Sequence, residues 1–225
     1  MTGTDTGVGK TVVAAAVAAT WRRAHTDVVY VKPVQSGAAD GDDDPADVAA
    51  LADVPTVVGP VVGPSLAPGV ALRMAGEKVT GDELLAVVHG AARTYPGARM
   101  VVEGAGGLLV ELASDGTTCA DLAARLGLPV VVVARPGLGT LNHTALTLSE
   151  LRRRGLRAEV VVCGYPRDPD PATRSNLGEL ARLAGRPLLG VVPHVDPLSS
   201  TTLRFEDERP VRALATASGA DPSTT

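Results

Sequence analysis

Gly3-Thr4-Asp5-Thr6-Gly7-Val8-Gly9-Lys10-Thr11 opens this chain and reads as a phosphate-binding loop. Its glycines let backbone N–H groups turn toward phosphate oxygens. Lys10 adds a positive charge near the β- and γ-phosphates, and the Thr11 hydroxyl can reach a magnesium ion. Val12 to Val17 reads as the helix whose N-terminal dipole faces those phosphates. Five residues, Thr4 to Val8, separate Gly3 from Gly-Lys-Thr, one more than in the common form of the loop. A plain Gly/Thr-rich turn would not combine Gly-Lys-Thr, two further glycines and an apolar helix. The loop ordinarily leaves a buried β-strand. Only Met1 and Thr2 precede Gly3, so the first strand is expected to be missing from this sequence. The chain has no Ile, and three Lys against 18 Arg. That bias suggests a GC-rich coding sequence, in which a valine codon is easily taken for a start. The natural protein is therefore expected to begin upstream with a Val/Leu-rich segment.

With 225 residues, a charge of −4 and 45% hydrophobic content, the chain suits one large α/β domain. The acidic balance gives no footprint for nucleic acid. Arg152-Arg153-Arg154 reads as a solvated helix end. Cys119 and Cys163 lie far apart in apolar contexts, which fits neither a disulfide framework nor a metal cluster and suits a reducing, cytoplasmic location. No run of 18 apolar residues suggests a membrane span.

Strand signals are read at 28–34, 99–103, 129–134, 158–163 and 188–192. Helix signals fall at 45–51, 80–95, 121–126, 141–154 and 172–184, with Thr80 and Glu83 spaced as a capping box. Residues 53–70 read as irregular, and 218–225 as a disordered tail after a single domain over 1–217. The alternation predicts a mostly parallel sheet with helices on both faces, a P-loop NTPase-type α/β domain.

In such a sheet ligands bind at the C-terminal strand ends, and the chemistry-bearing residues fall there. Lys10 and Thr11 follow the first strand position, Lys32 and Ser36 the next, and Glu103 ends another. Glu103 closes an apolar strand, where a carboxylate needs a partner or a cation; a nucleotide's Mg²⁺ would serve, as would neighbouring N–H groups. Asp47 is the second candidate ligand, with Asp42 to Asp44 competing for the role. Lys32 is either a second cation at the site or a lysine snorkelling from a strand end. Gly104 to Gly107 admits substrate close to the backbone or is a plain tight turn. Gly139 to Asn142 opens a helix whose free N–H groups suit a carboxylate, or which Thr140 simply caps. His143 is expected to be structural.

Together these pieces resemble the dethiobiotin synthetase family. They are Thr2 to Thr11, Lys32-Pro-Val-Gln-Ser-Gly37, Asp47, Val102-Glu-Gly-Ala-Gly-Gly107, Pro129 to Val133 with Gly139-Thr-Leu-Asn-His143, and Gly190-Val-Val-Pro193. They occur in the family's order. The resemblance implies an ATP- and Mg²⁺-dependent ligase acting on 7,8-diaminononanoate and CO₂. One amine takes up CO₂ as a carbamate, the carbamate is phosphorylated by ATP, and the other amine closes the cyclic urea and expels phosphate.

It further implies that Lys10 and Lys32 stabilise transferring charge, that Thr6 and Ser36 hydrogen-bond the carbamate, and that Thr11, Asp47 and Glu103 hold Mg²⁺. Nucleotide contacts are implied for Thr4, Asp5, Thr6, Gly7, Val8, Gly9, Lys10, Thr11, Glu103, Gly164, Tyr165 and Pro193. Substrate contacts are implied for Ser36, Gly106, Gly107, Thr140, Leu141 and Asn142. The helix start at Thr140 to Asn142 would come from a partner subunit, which makes the active form a homodimer. Gly164-Tyr165 stands where the family often has an adenine-reading Asn, so nucleoside triphosphates other than ATP are expected to be accepted. Two rivals fit less well. A partition-type ATPase switch carries an extra lysine early in its loop, where this chain has Asp5 or Thr4. A cobyrinate-type amide ligase adds a glutaminase domain for which this chain has no room.

Overall fold

Parallel strands and the helices between them place every loop discussed above along one edge of a sheet. The computed structural model describes residues 1–205, 207, 208 and 211. In chain order the elements are β1 (Thr2–Gly3), α1 (Lys10–Arg23), β2 (Val28–Lys32), β3 (Gln35–Ser36), α2 (Asp44–Ala52), β4 (Thr56–Val58), β5 (Val61–Val62), α3 (Pro68–Ala75), α4 (Gly81–Thr94), β6 (Arg99–Val102), α5 (Cys119–Leu126), β7 (Val130–Ala134), α6 (Thr140–Arg153), β8 (Ala158–Tyr165), α7 (Pro171–Ala184) and β9 (Gly190–Pro193). One turn of 3₁₀ helix, Ala38–Asp40, precedes α2.

The main sheet runs β4-β2-β6 on one side and β1-β7-β8-β9 on the other, all parallel. The halves meet at β1. Thr2 and Gly3 pair with Val132 and Val133 on one side. On the other, Gly3 bridges Gly107, the Met1 nitrogen donates to Val102 O and Gly104 N–H donates to Met1 O. A first strand is therefore present, though only two residues long, which corrects the expectation that it is absent. Nearly continuous Val runs in β2, β7 and β8 fit strands covered on both faces.

One face is covered by α1 and α2, whose small Ala-rich side lets Val13, Ala14 and Val17 pack closely on Tyr30, Val133 and Val161. The other carries α3 to α7 in linked clusters centred on Leu72, Leu84, Leu112, Leu148 and Leu151. The capping box at Thr80 and Glu83 forms as expected, and a second at Thr118 and Asp121 starts α5. The 53–70 stretch is more ordered than its Pro and Gly content suggests. It holds β4, the edge strand beside β2; β5, which pairs with β3; and the start of α3. These are short strands of two or three residues, below the length at which a period-2 pattern can be recognised. The expected tail at 218–225, and the end of the expected domain at 217, lie outside the described residues.

Candidate active site

The loop from Gly3 to Gly9 leaves β1 and turns into α1. Its entry is pinned by Thr4 N–H to Val133 O at 2.9 Å and Gly3 N–H to Gly106 O at 3.3 Å. Asp5 Oδ1 accepts from Thr6 N–H at 2.8 Å, while its other oxygen faces Arg135 at 3.6 Å. Val8 is buried, and Gly9, at φ 89°, makes the turn into the helix. A Cβ on Gly9 would fall 2.5 Å from Cys163 Sγ, so the end of β8 is the floor of the loop. Burial pushes the Cys163 thiol up to about 11, so it sits there as an inert neutral group. Gly7 has φ 71° and open space around it.

Lys10, the first residue of α1, is 8% exposed. Burial pulls its ammonium below the ordinary lysine value, partly offset by attraction to Glu103. Among the described residues no ion pair holds it, so its charge is available to an anion in the loop. Next to it, Thr11 Oγ1 lies 3.0 Å from Asp44 Oδ1 and 3.2 Å from Glu103 Oε1. One hydroxyl hydrogen serves one acceptor at a time, so these distances mark a point where two carboxylates converge on a hydroxyl.

Lys32 Nζ joins the same cluster, 3.0 Å from Glu103 Oε1, 2.5 Å from Asp44 Oδ2 and 3.1 Å from Gly104 O. Burial works against its charge, yet Glu103 and Asp44 outweigh burial and hold the ammonium above the ordinary lysine value. Tyr30, two residues earlier and hence on the same face of β2, donates its hydroxyl to Glu103 Oε2 at 3.1 Å. Burial, followed by the Glu103 charge, pushes that phenol strongly up and keeps it a donor. Glu103 is fully buried and held from two sides, whereas the Asp44 side chain keeps 28% exposure at the start of α2. The fixed member of the cluster is Glu103 and the adjustable one Asp44.

Asp47 lies on α2 three residues after Asp44, on the same helix face, and is exposed. Partial burial and then the neighbouring Asp44, Asp43 and Asp42 hold its carboxyl above the usual range. Among the described residues it makes no bond to Thr11 or Glu103; Asp44 does. Thr11, Glu103 and Asp44 are hard oxygen donors of the kind Mg²⁺ takes, and among the described residues no three His, Cys, Asp or Glu side chains gather as a ready metal site.

Around this centre the remaining residues are spread unevenly. Ser36 is half-buried on β3. Gly106, at φ 60°, packs so closely on Val110 that a Cβ would lie 2.9 Å from its Cγ2, with the Thr6 hydroxyl at ordinary contact distance, and Gly107 bridges Gly3. Gly164, at φ 78°, has open space beside it, and Tyr165 pairs with Pro193 across a register shift. The cap of α6 is Gly139, at φ 88°, and not Thr140. Thr140 is instead fully buried with its hydroxyl unpartnered, Asn142 is exposed and Leu138 is 87% exposed. Among the described residues no hydrogen bond or ion pair joins this helix start to Lys32 or Glu103. His143 contacts Arg135 at 3.2 Å.

A family model described as an AAA domain matches residues 1–202. The ATP-dependent dethiobiotin synthetase of Mycobacterium avium (strain 104) is 50% identical over 195 residues, covering 86% of this chain and 85% of that protein. The chain belongs to the dethiobiotin synthetase family. A second member, from Mycobacterium leprae, is 47% identical over 196 residues. Among solved structures, a ParA family ATPase from Chlorobium tepidum covers 90% of this chain and is covered over 88% of its own length, with TM-score 0.56 and 16% identity. The MinD cell division protein of Aquifex aeolicus gives TM-score 0.54 at 10% identity. At such identities the likeness of these two to this chain shows the fold alone. Three contributors to the site escaped the sequence reading: Tyr30, Asp44 as a direct partner of Lys32, and Cys163 as the loop's floor. Period-2 spacing from Lys32 could have found Tyr30. Nothing local could have found Cys163, which reaches Gly9 from a strand distant in sequence.

Proposed function

We infer that this chain is an ATP-dependent ligase that forms dethiobiotin from 7,8-diaminononanoate and CO₂, with ADP and phosphate as the other products. The carrying observation is the convergence of Lys10, Thr11, Lys32 and Glu103 at the ends of neighbouring strands, in a chain half identical to a dethiobiotin synthetase. The reaction gathers many negative charges at one point. An amine nitrogen bonds to CO₂ and loses a proton, giving a carbamate. A carbamate oxygen then bonds the γ-phosphorus as the bond to ADP breaks. The second amine bonds the same carbonyl carbon and gives up a proton, and phosphate leaves with the C–O bond's electrons. Little covalent chemistry falls to the protein, so positioning and charge supply most of the rate.

Lys10 is suited to the transferring phosphoryl group and Lys32 to the carbamate, with Thr6 and Ser36 as hydrogen-bond partners of the carbamate. The backbone from Thr4 to Gly9 would cradle the phosphates, and Gly164, Tyr165 and Pro193 would flank the base. Thr11 and Glu103, with Asp47 from α2, would hold Mg²⁺, which when bound neutralises charge on the nucleotide's phosphates. Asp44 bonds Lys32, so a carbamate reaching that ammonium would compete with it. Gly106 and Gly107 leave room for the substrate chain. Thr140, Leu141 and Asn142 are assigned to the substrate carboxylate of a second subunit's site, which makes the working form a homodimer. No helix among the described residues is long and apolar enough to cross a membrane, and two free cysteines suit the cytoplasm. The test is ADP release measured with each reactant withheld in turn. Release that requires both diaminononanoate and bicarbonate is expected; release without either would leave a bare ATPase.

A further inference from the structure

Glu103 follows the last residue of β6, and its N–H donates to Val31 O at 2.9 Å. That bond fixes its backbone beside β2, level with Val31. Its side chain meets the two β2 residues that flank Val31 on one face, Tyr30 and Lys32. The two carboxylate oxygens have different company. Oε1 is turned to the ligand edge, where Lys32 Nζ donates to it at 3.0 Å and Thr11 Oγ1 lies 3.2 Å away. Oε2 accepts from the Tyr30 hydroxyl at 3.1 Å. Tyr30 leaves its strand two residues, or about 6.6 Å, further from that edge. Tyr30 and Glu103 are both fully buried.

Nothing intrinsic to a glutamate enforces this division. The last torsion of the side chain is broad, so its hydrogen bonds set the plane of the carboxylate. The Tyr30 ring is itself packed in the core with Val13 and Ala14 of α1 and Val48 of α2. Its hydroxyl is therefore a donor on a rigid support. A phenylalanine would fill nearly the same space and leave Oε2 buried without a donor, a costly state. The carboxylate would then turn until both oxygens shared the cations at the edge.

We propose that Tyr30 is a positioning residue that makes Glu103 a one-oxygen ligand and thereby selects a small cation over a large one. The proposal rests on the reading of Glu103 as a Mg²⁺ ligand. Mg²⁺ demands near-octahedral geometry at about 2.0–2.1 Å and takes most of its ligands from water and phosphates, with one or two carboxylates added. The site fits that demand, since Glu103 Oε1, Thr11 and Asp44 converge without forming a closed cage. Ca²⁺ is larger, with bonds of about 2.3–2.6 Å, and often takes both oxygens of one carboxylate. By holding Oε2 away from the edge, Tyr30 withholds that second oxygen. Ca²⁺ loses a ligand and Mg²⁺ does not.

The experiment measures binding of the β,γ-methylene analogue of ATP by calorimetry, with saturating Mg²⁺, with saturating Ca²⁺ and with a chelator. The proteins are the parent, Tyr30→Phe, Tyr30→Leu, Glu103→Gln, and Tyr30→Phe combined with Glu103→Gln. In the parent, Mg²⁺ should tighten binding more than Ca²⁺ does. Tyr30→Phe is expected to lower the Mg²⁺-to-Ca²⁺ affinity ratio at least threefold, while affinity in the chelator stays within twofold. Tyr30→Leu also removes ring volume, so it should lower the Tm further and shift the ratio by the same factor. Adding Tyr30→Phe to Glu103→Gln should leave the ratio where Glu103→Gln alone put it, because the carboxylate through which Tyr30 acts is gone. A parental ratio in Tyr30→Phe, whatever its Tm, overturns the proposal and leaves Tyr30 a packing residue. A ratio that follows the Tm loss from Phe to Leu, or that shifts as much in the Gln background, overturns it too. Binding indifferent to both metals in the parent would instead overturn the reading of Glu103 as a metal ligand, and the proposal with it.

Discussion

Two buried lysines in one site carry opposite consequences for pH. Lys10 has its pKa lowered, so the unfolded chain holds that proton more tightly than the folded one. Its charge costs stability at neutral pH, and that cost disappears as pH rises toward its ordinary value of 10.5. Lys10→Ala should therefore leave the Tm of the empty protein unchanged or raised. Turnover at saturating ATP should fall roughly 10²–10³-fold, the loss of one preorganised charge; turnover within threefold of the parent would remove Lys10 from the chemistry. Lys32 has its pKa raised, so its contribution is fully present below the ordinary lysine pKa and is lost only as pH climbs through the higher folded value. That contribution depends on Glu103. Glu103→Gln keeps the shape and removes the charge, leaving Lys32 with Asp44. Breaking a buried pair costs roughly 3–5 kcal/mol, and the remaining carboxylate places this case at the low end. A Tm drop of about 6 °C or more is expected. The Mg²⁺ concentration needed for half-maximal turnover should rise several-fold; a lower Tm with an unchanged Mg²⁺ titration would make Glu103 a structural partner of Lys32 only.

At the level of elements, the end of β8 does two jobs. Cys163 supports Gly9, and one residue later Gly164 has open space beside it, on the side where the proposed site would set the base. Without a side chain, hydrogen bonding can discriminate only weakly between bases, since strong rejection requires a site group left unpaired by the wrong ligand. CTP and GTP are expected to support turnover within about tenfold of ATP, roughly 1.4 kcal/mol. Rates measured with each nucleotide at saturation would check this, and a strict ATP requirement would show that backbone groups at Tyr165 and Pro193 read adenine unaided. Helix α2 shows a similar division of labour. Its N-cap Asp43 accepts from Ala46 N–H, which frees Asp44 to point at Thr11 and Lys32.

The prediction for the whole molecule concerns how many chains make one site. The start of α6 presents Leu138 and Asn142 to solvent, and nothing among the described residues ties it to the Lys32 cluster. A helix start that binds the substrate carboxylate in a partner's site predicts complementation. Lys10→Ala and Asn142→Pro are each expected to be nearly inactive alone. A mixture refolded together should recover up to about a quarter of parental activity, because a mixed dimer keeps one intact site. Light scattering should give twice the chain mass. A monomer with full activity, or no recovery in the mixture, would place the whole site within one chain.

Local chemistry made the phosphate loop, the buried Val strands, the capping box at Thr80 and the lysine and carboxylate at strand ends legible without coordinates. Each rests on a spacing of a few residues and on the rule that parallel strands deliver their ends to one edge. The family resemblance was legible for the same reason, since its motifs are short and contiguous. Contacts between distant segments were not. The two-residue β1 exists because it pairs with Val132 and Val133 on one side and, on the other, Gly106 accepts from Gly3 N–H while Val102 and Gly104 hold the preceding Met1, and no local propensity could sustain so short a strand. Asp44 meets Lys32, and Cys163 meets Gly9, only after the sheet has brought the strand ends together. Sequence spacing fixes which groups point the same way along one element; packing decides which elements become neighbours.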